Sequence, residues 1–466
     1  MNKYLKLVSN VMTFALGAFS SKILVFLLMP LYTRLLTTYD YGVIDNIVNT
    51  ANLMIPIVSL SITEGVIRFS LDKSIKKSDA FSTGIKTVII GFAVFSFFVP
   101  VFLKIKFIAP YTALIYLYVL MACLRSVCSQ FVRALGLIRL YTFDGVATTA
   151  IVILFNIVFL IYFKMGITGY VLSIILTDVV SVIFLFWSAK LNRYFKPFNI
   201  SPHISRQMLK YSIPMIPNTL FWWITNASDR YIVTYYMGAD INGLYAAAYK
   251  IPTIITTISG IFMQGWQLSA ISEYSNHDKS VFYSNIFKYF QSLIFLCASG
   301  IVLFIKVITV VLVAPDYYPS WQYVPLLVIA SVFSSLAIFY NSIYMSAKKS
   351  TSIMVTTFIG AALNVAMNFM LIPRYGANGA AFATFASYFI VFVIRVIDSH
   401  RFSPFSIDAA KFAVNFMLLS VQIAIMLSEV KHWAVYEIIL VLIMISINIK
   451  NFFDAVIRIV KSRKKA

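Results

Sequence analysis

The sequence predicts an all-α polytopic membrane protein with about fourteen transmembrane helices and both ends in the cytoplasm. Composition is the first ground: 60% of the 466 residues are hydrophobic and only 12% are charged, where a soluble domain carries about 25% charged residues. Half the usual charge cannot wet the surface of so large a core, so most of that surface faces lipid. The second ground is run length, since the apolar residues gather in stretches of about 20, enough to cross a hydrocarbon layer. The third is the placement of lysine and arginine, which crowd alternate connections.

Apolar runs fall near residues 8–32, 43–67, 81–103, 108–134, 142–163, 168–189 and 209–236. A second set falls near 243–272, 280–304, 322–346, 351–372, 377–400, 407–428 and 431–452. The first run follows lysines, as in a signal peptide, but it is too long and lacks a small-residue cleavage site, so it reads as a retained helix. Odd-numbered connections hold few cations, among them Arg34, Lys164 and Arg374. Even-numbered connections and the tail hold many, including Lys73, Lys76, Lys77, Lys190, Arg193, Lys196 and the stretch Arg458 to Lys465. Cytoplasmic loops collect lysine and arginine, which sets the orientation.

The longest polar connection, Lys190 to Lys210, contains Pro197 and Pro202. It predicts an N-lobe over 1–190 (helices one to six), a cytoplasmic linker over 191–208 and a C-lobe over 209–402 (helices seven to twelve). A helix pair with a basic tail follows over 403–466. An internal repeat supports the division. Asp40-Tyr41-Gly42-Val43 after the first run matches Asp240-Ile241-Asn242-Gly243-Leu244 after the seventh. Further on, Asn156 before Gly166-Ile167-Thr168-Gly169 matches Asn368 before Gly376-Ala377-Asn378-Gly379. Two lobes repeated in the same order, with a cleft between them, are the architecture of a transporter.

Other function classes find little footing. The net charge of +21 lies in short connections suited to anionic headgroups. It forms no basic stripe with interleaved aromatics, so nucleic acid is not an expected partner. Cys123, Cys128 and Cys297 sit inside apolar runs without metal-ligand spacing, and read as small buried hydrophobes. His203, His277, His400 and His432 are scattered through the connections. No Walker loop or GxGxxG is present. No catalytic residue, metal or cofactor is expected, and the chain is not read as an enzyme.

Several of these segments resemble the polysaccharide transporter family, which includes the Wzx-type flippases of O antigen and capsule. The resemblance is carried by Met29-Pro30-Leu31-Tyr32, Asp229-Arg230 and Gly243-Leu244-Tyr245, and above all by the run from Leu371-Ile372-Pro373-Arg374 to Gly379-Ala380-Ala381. It implies a MATE-like fold of the multidrug/oligosaccharidyl-lipid/polysaccharide exporter (MOP) superfamily, two six-helix lobes plus a C-terminal pair, in a bacterial cytoplasmic membrane. The implied activity is flipping an undecaprenyl-pyrophosphate-linked oligosaccharide between leaflets by alternating access. The implied partners are that lipid, membrane lipids, and polymerase and chain-length proteins of the same pathway. Two alternatives stand beside it: a membrane-embedded polymerase or ligase of that pathway, and a drug or cation antiporter. The short outer connections disfavour the first, and the absence of any Asp or Glu between Lys6 and Arg34 disfavours the second.

Ionisable groups at membrane depth cost about 2.5–3.5 kcal/mol each, so they face a cavity or a partner. The cationic candidates for a pyrophosphate-binding cavity are Lys22, Lys250, Arg230, Arg125 and Lys288. Lys22 lies near mid-depth of helix one and Lys250 in the matching region of the second lobe, which resembles the cation pattern of the lipid II flippase. Arg125 and Lys288 have a second reading, snorkelling to headgroups. Asp229 and Arg230 have one too, structural pairing within the bundle. Asp178, Asp229 and Glu64 are the acidic candidates for ion coupling, with a structural salt bridge as the competing reading of Asp178.

Overall fold

A computed structural model of the protein describes residues 28–72, 74–105, 107–196, 201–273, 279–347, 349–401 and 403–463. All regular structure among them is helical. In chain order the helices are α1 (Met29–Leu35), α2 (Thr38–Val58), α3 (Ile62–Leu71), α4 (Lys77–Ser96), the short α5 (Val99–Phe102) and α6 (Thr112–Ala134). Then come α7 (Ile138–Asn156), α8 (Gly166–Ser188), α9 (Pro202–Ser212), α10 (Ile216–Met237) and α11 (Ala239–Lys250). The rest are α12 (Thr253–Glu273), α13 (Lys279–Leu312), α14 (Val324–Ser346), α15 (Ser350–Ser399), α16 (Ala409–Ser428) and α17 (Trp433–Arg463). Most of the predicted first helix, Lys22 included, lies outside the described residues.

Nine described segments are long and apolar enough to cross a membrane, or up to 11 when the bent pairs α2–α3 and α11–α12 each count as one span. These alone do not reach the expected fourteen, for physical reasons. The segment Thr351–Ser399 is 49 residues long, more than twice the about 20 a crossing needs, and it turns at Gly376, whose φ of 60° is left-handed. Helix α10 carries Asn226, Asp229 and Arg230, which lower its hydropathy. The predicted runs 43–67 and 243–272 each break. Pro56 and the left-handed Leu60 and Ser61 bend α2 against α3 by 51°. Pro252, which has no N–H to give, separates α11 from α12 at 42°. The predicted run 209–236 begins instead with the separate amphipathic α9.

The chain forms two compact units. One is Leu31–Gly243; the other is Leu244–Ala466 with Met1–Pro30. In the first, α6 packs on α2, α3, α4 and α8. Phe81 and Phe131 meet at 4.6 Å, and Phe95 stacks on Tyr116 at 4.2 Å between ring centroids. In the second, Trp266 stacks on Phe339 at 4.6 Å amid Phe287, Phe290, Tyr340 and Phe405. A polar ladder fixes α16 and α17 to α13. Ser299 Oγ donates to Gln422 Oε1 at 2.7 Å, Gln422 Nε2 to Glu437 Oε2 at 2.9 Å, and Asn451 Nδ2 to Ser292 Oγ at 2.7 Å. Beside it, Asn415 and Asn448 exchange amide hydrogen bonds.

The repeated turns show why glycine recurs in them. Gly42 of α2 faces the backbone of Ala239–Gly243: a Cβ on Gly42 would sit 1.9 Å from the Ala239 carbonyl oxygen, and one on Gly243 would sit 1.9 Å from the Thr38 carbonyl oxygen. The two copies of the repeat therefore pack on each other, glycine against glycine. Asn242 Nδ2 donates to the Gly42 carbonyl at 3.0 Å and Thr38 Oγ1 to Asp240 Oδ1 at 2.9 Å. The later pair of turns also share their geometry, since Gly166 and Gly376 both adopt positive φ. Gly42→Ala must push two backbones apart, and the expected loss is about 2–4 kcal/mol of stability. Thermal unfolding of the purified protein reads this, with Gly145→Ala, which would meet nothing within 4 Å, as the unaffected control.

Candidate functional site

Ion pairs among the described residues of Leu31–Gly243 form two clusters. The first joins α6, α7 and α8. Arg125 reaches Asp178 Oδ1 through Nη1 at 2.9 Å and donates through Nη2 to Thr148 Oγ1 at 3.0 Å. Asp144 Oδ2 lies 3.9 Å from the same guanidinium, and Ser181 Oγ donates to Asp144 Oδ1 at 2.6 Å. Both carboxylates are buried, while the Arg125 side chain is 32% exposed. Two acids thus share one cation, and a proton or a monovalent cation would balance the cluster.

The second cluster joins α2 to α10. Arg230 Nε stands 3.4 Å from Asp45 Oδ2, and Nη1 donates to Asn49 Oδ1 at 3.1 Å. Around it, Asn46 Nδ2 donates to Thr234 Oγ1 at 2.8 Å, Thr50 and Tyr231 hydroxyls meet at 2.7 Å, and Trp223 Nε1 donates to the Asn49 carbonyl at 3.0 Å. With the Thr38–Asp240 bond this makes a polar seam about 18 Å long, the twelve steps of α2 from Thr38 to Thr50 at 1.5 Å each.

The other sequence candidates scatter. Asp229 is buried beside Arg230, whose backbone N–H donates to its Oδ1 at 2.9 Å. Glu64 stands exposed at the start of α3. In the other unit, Lys250 ends α11 and Lys288 lies within α13, both half-buried. Arg395 is buried there, with its donors on Thr356, Thr357 and the Ala337 carbonyl. No group of three or more His, Cys, Asp or Glu that could hold a metal occurs among the described residues.

Sequence reasoning missed Asp45 and Asp144, the acids that complete both clusters. Asp45, Asn46, Asn49 and Thr50 recur at helical spacing along one face of an apolar run, and that signal was readable. Asp144 lies only six residues into α7 and blends with the polar connection before it.

This helical arrangement is similar to that of several solved transporters. The lipid II flippase MurJ in an inward closed conformation superposes with a TM-score of 0.71 at 14% identity, over 96% of this chain and 100% of that one. An inward-facing multidrug-resistance MATE family transporter of the MOP superfamily gives 0.69 at 12% identity, over 86% and 99%. A MATE in the straight conformation gives 0.59 at 12%, over 86% and 97%. The family is set by sequence: residues 7–266, more than half of the chain, match the polysaccharide biosynthesis protein family, and the chain belongs to it. No curated protein sequence matches the chain.

Proposed function

We propose that the protein is a flippase carrying undecaprenyl-pyrophosphate-linked oligosaccharide repeat units from the cytoplasmic to the outer leaflet of a bacterial cytoplasmic membrane. The product feeds O-antigen, capsule or another surface polysaccharide, and both termini are cytoplasmic. The observation that carries this reading is the membership of the polysaccharide biosynthesis protein family over residues 7–266. The MOP-type fold supports a carrier over a polymerase or ligase. In this reading two six-helix lobes, 1–190 and 209–402, alternate about a cavity, joined by the linker 191–208 and followed by the pair 403–466. Lys22 and Lys250 supply the close cations that a dehydrated pyrophosphate requires. Lys288 adds positive potential, Arg125 and Arg230 offer guanidinium donors from clusters whose carboxylates offset their charge, and Asp178 with Asp144 takes up the coupling ion, ahead of Asp229 and Glu64.

Depletion in the native cell tests the reading. Lipid-linked repeat units are expected to accumulate with their glycans shielded from membrane-impermeant oxidants. At equal protein levels Lys22→Ala or Lys250→Ala lowers export roughly ten- to a hundredfold, the loss of one charged contact worth about 1.5–3 kcal/mol. Lys22→Arg retains more activity than Lys22→Gln. Absence of accumulation contradicts the function, and equal export by all variants removes these lysines from the site.

A further inference from the structure

We propose that a cationic recess on α9 and the apolar groove adjoining it bind one anionic phospholipid, its phosphate against the cations and a chain along the groove. The recess, about 890 Å³, is lined by Lys86 of α4 and by His203, Arg206 and Lys210 of α9. The spacing of 203, 206 and 210 puts the three on one helix face. Lys86, Arg206 and Lys210 are exposed, and no carboxylate stands among the described lining residues. Such a site attracts an anionic phosphate headgroup.

The groove, about 630 Å³, runs between the bent α2 and α4, with Met54 and Ile57 on one wall and Ile90 and Val94 on the other. Recess and groove meet: Leu209 lines both, and Lys86 of the recess is followed in the chain by Thr87 of the groove. Headgroup chemistry and chain chemistry are therefore joined end to end. From Thr87 to Phe95 the groove extends about 12 Å along α4 at 1.5 Å per residue, most of one leaflet of a hydrocarbon layer about 30 Å thick. One leaflet of depth fits a phospholipid acyl chain rather than a polyprenyl chain several times that length. On the proposed orientation the recess faces the cytoplasmic leaflet, where anionic lipid is concentrated.

Native mass spectrometry of the purified full chain tests the site with dioleoyl phosphatidylglycerol and dioleoyl phosphatidylcholine as probes. The phosphatidylglycerol is expected to be retained in preference. Each of Lys86→Gln, Arg206→Gln and Lys210→Gln weakens its binding about fivefold, and the triple variant on the order of a hundredfold. These side chains are exposed, so unchanged melting in detergent is expected for each variant. Val94→Trp, which fills the groove, lowers binding of the long-chain lipid but not of dihexanoyl phosphatidylglycerol. Equal retention of both lipids, an unaffected triple variant, or displacement of phosphatidylglycerol by equimolar undecaprenyl phosphate overturns the assignment. Because binding is read without transport, this result and that for the flippase activity stand or fall separately.

Discussion

With Thr38→Cys and Asp240→Cys joined by a short cleavable thiol linker, export is expected to stop, and reduction to restore it. The two side chains already touch, Thr38 Oγ1 on Asp240 Oδ1 at 2.9 Å. They end a seam that continues through Gly42–Gly243, Asn46–Thr234 and Asp45–Arg230. That seam joins the second helix of the first repeat to the helices that open the second repeat. If the repeats carry substrate by alternating access, it must part at this end in each cycle. The polar bonds suit such a device, since water replaces them on opening, whereas a packed apolar seam would lose its burial. Single-cysteine variants treated alike are the control and retain activity. Undiminished export with the linker in place would show that the seam stays closed throughout, and a groove-type scramblase path would then explain transport better.

Arg125→Leu is expected to be the most damaging single charge change in the described bundle. It removes the one cation from between Asp144 and Asp178, both buried. Breaking a buried pair in this way costs about 3–5 kcal/mol, because the charge left behind has lost its partner. The expected result is a large fall in the amount of folded protein in the membrane, read by fluorescence-detected size exclusion. Combining Arg125→Leu with Asp178→Asn and Asp144→Asn removes the stranded charges together, so folded protein returns. If the three groups serve only the fold, the triple variant also transports. If they bind the coupling ion, it is abundant and inactive, and export by the wild type depends on the ion gradient. A fall that the triple variant does not reverse would contradict the electrostatic account of the cluster.

Much of this fold was legible because membrane burial writes itself in composition. Lipid leaves the backbone no partner but its own helix, so each long apolar run becomes a helix. The turn from 372 to 377 was readable from Pro373 and Gly376 for the same reason: neither residue continues a helix without distortion. What sequence periodicity could not show was pairing. Arg230 was recognised as a charge at depth, but its partner Asp45 lies 185 residues earlier in the chain. The bends at Pro56 and Pro252 were equally hidden, because an apolar run with a proline can continue or break depending on what packs against it. Asp40, Gly42, Asp240 and Gly243 stood out as a repeat. That the two copies would pack against each other required the structure.

The central claim is that this chain moves a lipid-linked glycan between leaflets. Its most direct test places the purified protein in liposomes containing an undecaprenyl-pyrophosphate-linked oligosaccharide, with a membrane-impermeant galactose- or aldehyde-directed label outside. Protein-containing vesicles are expected to expose the inner-leaflet half of the glycan to the label within minutes. Protein-free vesicles, and vesicles carrying the bridged Thr38→Cys/Asp240→Cys variant, expose only the outer half. If labelling stops at the outer half with active-fold protein present, across the glycans its own cell makes and with either ion gradient applied, the chain is not a flippase of lipid-linked oligosaccharides.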